Sequence, residues 1–183
     1  MNKNTRRKSP LFGMVTAAAL SLLLVGPAMA TESVTTATVT GGSLALTGGG
    51  VATTFVSKAV TGVSQTTTAA LAAYSVADLR GTGAGWHVTA VATRFTTGTV
   101  PLAVGSLTTA DWTVLSPDTE SADPTGIGGK VLDNGVVKIA SAGLDAGMGT
   151  YNFSANTLTL TLPADVKVGA YASTVTIDAV TAP

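Results

Sequence analysis

The sequence predicts an all-β protein, an antiparallel β-sandwich of about nine short strands that follows a cleaved export signal. Three observations carry this reading. Threonine supplies 30 of the 153 residues after Ala30, a composition that suits pleated strands. Glycine recurs in pairs and triplets that separate short alternations of apolar and polar residues. No stretch beyond Ala30 sustains a 3.6-residue apolar period with helix caps. A barrel shares the same strand spacing, and the sandwich is the favoured of the two.

The chain opens with Lys3, Arg6, Arg7 and Lys8, then an apolar run from Leu11 to Val25, then Gly26-Pro27 and Ala28-Met29-Ala30. A charged start, a short apolar stretch and an Ala-x-Ala ending describe an export signal cut after Ala30. The organisation expected is therefore residues 1–30 as signal peptide and 31–183 as one domain. The alternative, an uncleaved anchor, needs about 20 apolar residues to cross a bilayer, and Pro27 closes this run early. No membrane span is expected after cleavage, and the lack of cysteine excludes lipid attachment at the cleavage site.

Ten basic residues balance ten acidic ones, which leaves no excess to neutralise phosphates, so no nucleic-acid partner is expected. Four of the cations leave with the signal, and the remaining chain carries about −4. Attraction to an anionic envelope polymer through net charge is then weak, and surface retention would rest on stacking, hydrogen bonds or a protein partner. A cysteine-free exported chain fits a bacterial surface.

Taken in order, alternation marks strands at Val34–Val39, Ser43–Thr47, Val51–Val56 and Val60–Thr67. Tyr74 to Arg80 reads as a strand with Val76, Asp78 and Arg80 on one face. The strand from Trp86 to Phe95 aligns Trp86, Val88, Ala90, Ala92 and Arg94. Trp112–Leu115 follows. Val131-Leu132 and Val136–Ala140 flank Asp133-Asn134-Gly135, whose Asn-Gly pair predicts a hairpin. Thr157–Leu162 alternates strictly and stops at Pro163, and Ala170–Val180 closes the set. The segment 116–130, with Pro117 and Pro124, reads as a solvated loop. Its Asp118, Glu120 and Asp123 are oxygen ligands but lack the spacing of a calcium loop, so a plain acidic loop is favoured.

Catalytic chemistry finds little footing. His87 is the sole histidine and follows Trp86 in an extended run, where it reads as an ordinary strand residue. Zinc needs His and Cys clusters that are lacking. Asp78, Asp111 and Asp145 admit a glycosidase-like pair only by chance. Gly81-Thr82-Gly83-Ala84-Gly85 lacks the following lysine of a phosphate loop and leads into a strand. No enzyme activity, cofactor or metal site is expected.

The most informative stretch is YSVADLRGTGAGWHVTAVATRF, Tyr74 to Phe95. Val76, Asp78, Arg80, Gly81, Thr82, Gly83, Gly85 and Trp86 fit a motif V-x-D-x-R-G-T-G-x-G-W-x-L, with Val88 in the leucine position. On these residues the chain resembles the WxL domain, a surface module of Gram-positive bacteria. A second likeness lies in YASTVTIDAVTAP, where Tyr171, Val175, Thr176 and Pro183 keep the register of a motif Y-x-x-x-L-T-W-x-L-x-x-x-P. Ile177 stands in the tryptophan position and Ala179 in the leucine position, so the second Trp-x-Leu is missing.

The resemblance implies a secreted protein held non-covalently on the cell wall, with peptidoglycan or another wall glycan as partner and both motifs at the contact. It points to Asp78, Arg80, Gly81, Gly83, Gly85, Trp86, Val88, Tyr171 and Pro183 as binding residues. Trp86 and Trp112 offer rings for stacking on sugars. Read as structure alone, Trp86 opening a strand after a tight turn is a core residue, and Arg80 on Asp78 is a strut at the turn. Two other roles remain open: a subunit that assembles through charge-poor sheet edges into a layer or fibre, and a module that docks on a larger surface protein. Either admits an oligomer.

Overall fold

In the computed structural model, which describes residues 35–50, 53–115 and 121–182, the strict alternations become strands wherever one face finds apolar partners. Eleven strands form: β1 Leu44–Gly48, β2 Gln65–Leu71, β3 Tyr74–Asp78, β4 Trp86–Ala92, β5 Leu107–Thr109, β6 Val114–Leu115, β7 Thr125–Gly126, β8 Val137–Ala142, β9 Gly149–Phe153, β10 Asn156–Leu162 and β11 Val175–Thr181. They make three antiparallel sheets, ordered β1-β3-β9-β6, β2-β10-β5 and β11-β4-β8-β7. No helix occurs among the described residues, and the architecture is sandwich-like. These strands lie in one compact unit, Thr38–Pro183. Of the other unit, Met1–Ala37, residues 35–37 are described and take no regular structure; the signal segment lies outside the described residues.

The core is aromatic. Tyr74, Val76, Tyr151 and Phe153 of the first sheet meet Trp86, Val88 and Ile139 of the third, while Leu71, Leu107, Leu158 and Leu160 extend the cluster through the second. Tyr74 stacks on Phe153 at 4.6 Å between ring centroids and takes Trp112 edge-on at 5.1 Å. Trp86 lies 6.3 Å from both Tyr151 and Phe153. Such ring pairs add to the area that they bury.

Five expectations need correction. Residues 35–39 form no strand and stay exposed, Val39 at 94 %. Val34 lies outside the described residues. Residues 53–56 likewise form no strand, and Val51 lies outside the described residues. In both segments the alternation lacks a neighbouring main chain to complete a ladder. The second sheet begins at Gln65 rather than Val60, and the last strand begins at Val175 rather than Ala170.

The fifth concerns Asp133-Asn134-Gly135, which is no hairpin. Gly135 has φ +104°, but Asn134 is not left-handed as the tight hairpin turn requires. Val131 bridges Thr108, Leu132 donates to the Leu107 carbonyl, and β8 pairs with β4 and β7 instead. Buried Asp133 explains the detour. Its carboxylate accepts from the main-chain N–H groups of Gly105, Ser106 and Leu107 at 2.9, 3.0 and 3.4 Å, which fastens the turn to the loop before β5. Strands β5, β7 and β9, which the alternation did not mark, are short or broken by polar residues.

Candidate functional site

The turn from Leu79 to Gly85 connects β3 of the first sheet to β4 of the third, and a single guanidinium holds it. Asp78 ends β3 on the inward face beside Tyr74 and Val76, with its side chain 1 % exposed. Arg80 reaches back to it in a bidentate pair, Nε to Oδ1 and Nη2 to Oδ2, both 2.8 Å. Nη2 also donates to the Gly85 carbonyl at 2.8 Å, and Nη1 donates to Thr181 Oγ1 at 2.7 Å. The hydrogen bonds from Arg80 hold the Asp78 carboxyl below the usual carboxylate range, against the opposing effect of burial. The same partner raises Arg80.

Two glycines are required sterically. Gly83 has φ +63°, and a Cβ there would run into Asp145 Oδ1. Gly85 has φ +69°, and a Cβ would stand 2.6 Å from the carbonyl oxygens of both Ala142 and Gly143. The turn is thus packed against the β8–β9 connection, and Asp145 donates its N–H to the Gly83 carbonyl at 2.8 Å. Gly81 is exposed at the tip.

Trp86 has no exposed surface, and its indole N–H donates to the Gly147 carbonyl at 2.9 Å. Val88 is equally buried. Trp112 is 4 % exposed, with its indole nitrogen buried and without a partner. Neither tryptophan presents a ring to a ligand in this fold. The last strand lies beside the first motif: Thr181 pairs Trp86, Ala179 pairs Val88 and Ile177 pairs Ala90. Ile177 packs on the core from this edge, so the position that the resemblance gives to tryptophan is a packing position here.

Of the nine expected binding residues, Asp78, Arg80, Gly81, Gly83, Gly85, Trp86 and Val88 therefore gather at one end of the β4/β11 pair. Tyr171 does not join them. It precedes β11 at the opposite end, about 20 Å of strand away. Pro183 lies outside the described residues.

Tyr171 instead lines a cleft of about 860 Å³ between residues 53–60 and 166–175, floored by Leu71, Leu107, Leu158 and Leu160. Its hydroxyl donates to the Lys167 carbonyl at 3.1 Å. Phe55 lines the same cleft and sits edge-on to Phe95 at 5.5 Å. Lys58 and Lys167 stand on its two walls. Sequence reading missed Phe55, Lys58 and Lys167 because the walls come from segments more than 100 residues apart that carry no shared pattern.

His87 sits in β4 between Val180 and Ser141, an ordinary strand position. Among the described residues no three His, Cys, Asp or Glu side chains gather as a metal site. Asp118 and Glu120 lie outside them.

A family model for the WxL domain, described as surface cell wall-binding, matches residues 30–181. No curated protein and no solved structure matches the chain. The family match takes in the first motif with the turn that Arg80 holds and, as far as Thr181, the strand paired beside it, and on that span the chain belongs to the WxL family of surface cell wall-binding domains.

Proposed function

We propose that the chain is exported and held non-covalently on the cell wall, with peptidoglycan as the polymer and the cleft beside Tyr171 as the contact. One observation carries the choice of surface. Among the described residues, Phe55 and Tyr171 are the aromatic side chains that are not buried, and both line this cleft. Apolar contact with a wall polymer needs aromatic side chains that are not buried, and these two supply them. The Arg80 turn then acts at a distance, by fixing the edge strand that leads from the cleft.

Pull-down on purified peptidoglycan tests this with Tyr171→Ala. Tyr171 is partly exposed, so the variant should melt within a few degrees of the parent while retention falls severalfold. Undiminished retention would remove the cleft from the reading. Recovery of the parent protein only in the culture medium, with none released from walls by high salt or chaotrope, would remove wall attachment itself.

A further inference from the structure

We infer that the cleft recognises the peptide part of the wall polymer, as a short extended peptide with small apolar side chains and a free carboxylate. The inference rests on the cleft being the wall-binding surface. The first observation is unused main chain. Residues 53–60 run along the cleft without a strand, pinned by Phe55 on Phe95. Side chains take two of their carbonyls: Thr67 Oγ1 donates to Val56 and Gln65 Nε2 to Ala59, each at 2.7 Å. None of their main-chain N–H groups donates to another described residue. A wall with open main-chain donors beside apolar side chains pairs with the carbonyls of an extended peptide.

The second observation is charge. Lys58 and Lys167 face the cleft from opposite walls, no acidic residue lines it, and neither lysine pairs with a described carboxylate. Asp165, two residues before Lys167, lies outside the lining. In a chain of net charge about −4 after residue 30, this is a local excess of the opposite sign, complementary to a carboxylate.

The third is the exposed apolar lining. Val56, Val60 and Val168 offer no side-chain hydrogen-bond partner, so sugar hydroxyls laid on them would lose their water without replacement. Methyl-sized side chains lose nothing there. The volume, about 860 Å³, holds a small ligand rather than a length of polymer.

The test compares retention of the full chain on intact peptidoglycan and on the same material stripped of peptides by an amidase. Soluble wall tetrapeptide, as free acid and as C-terminal amide, serves as competitor. Retention should fall at least tenfold on the stripped glycan, and the acid should displace the protein at least tenfold better than the amide. The double variant Lys58→Ala/Lys167→Ala should melt as the parent does and lose the acid–amide distinction. Equal retention on stripped glycan overturns the peptide assignment and leaves wall binding standing. No retention on intact peptidoglycan overturns the reading beneath it. Displacement by a synthetic copy of residues 31–40, with no effect of the wall peptide, assigns the cleft to a second copy of this chain and overturns the inference.

Discussion

Replacing Arg80 by Met tests the central claim about the β3–β4 turn. The substitution keeps the apolar length of the side chain and removes three partners at once: Asp78, the Gly85 carbonyl and Thr181. Asp78 is left as a buried carboxylate whose remaining hydrogen bond is the 3.2 Å donation from the main-chain N–H of residue 80. If exposed, the pair would contribute about 0–1 kcal/mol. Breaking a buried pair by removing one partner costs about 3–5 kcal/mol, because the orphaned charge cannot be hydrated. For a chain of this size that lowers the melting temperature by about 6–20 °C. The pH dependence adds a second reading. In the parent, the Asp78 pKa is depressed on folding, so its contribution is complete above the unfolded value of about 3.9 and is lost as pH falls through the lower folded value. In the variant, burial is opposed only by that main-chain hydrogen bond, so the Asp78 pKa is higher than in the parent and the deficit relative to the parent should shrink on acidification below about pH 4. Thermal melts of both proteins from pH 3 to pH 7 measure this. A variant that melts within 2 °C of the parent at pH 7, with no narrowing of the gap at low pH, would refute the reasoning.

Other substitutions check the same architecture. Trp86→Ala should cost about 3–5 kcal/mol, read from denaturant midpoints, because it empties a fully buried site and orphans the Gly147 carbonyl; its folded fraction should still bind wall material. Gly85→Ala should destabilise by more than about 1 kcal/mol, seen as a lower melting temperature, since the left-handed φ and two carbonyls 2.6 Å away both oppose a Cβ. Asp78→Asn combined with Arg80→Met should be more stable than Arg80→Met alone, since the buried charge is gone; a double-mutant cycle in thermal melts measures the difference.

The geometry changes the meaning of the family's residues in this chain. A motif rich in glycine, with one tryptophan and one ion pair, suggests a displayed binding loop. Its parts face inward instead, and they fasten the corner between two sheets to the final strand. Charge scarcity also acquires a location: the turn uses Arg80 internally, while Lys58 and Lys167 remain for the cleft.

Much of this was legible in the residue order. Alternation in Trp86–Phe95 and Thr157–Leu162 found the strands Trp86–Ala92 and Asn156–Leu162, which bury alternate residues from Trp86 to Ala92 and from Asn156 to Leu160, because one face of a pleated strand must pack and the other must not. The spacing of Asp78 and Arg80 announced their pairing, but not its geometry: the strand expected to run to Arg80 ends at Asp78, and Arg80 reaches back from the turn. Pattern failed where a partner was needed. Residues 35–39 alternate as well as any strand but have no ladder, and Asp133-Asn134-Gly135 carries a hairpin signal that the Asp133 carboxylate redirects. The sequence by itself determined an all-β chain and the chemistry of its first motif, because side-chain period and turn residues are local properties. Tertiary structure alone decided that Trp86 is enclosed, that Arg80 reaches Thr181, and that Tyr171 shares a cleft with Phe55, Lys58 and Lys167. Those contacts join segments up to about 115 residues apart, and only the folded path of the chain brings them within hydrogen-bonding or packing distance.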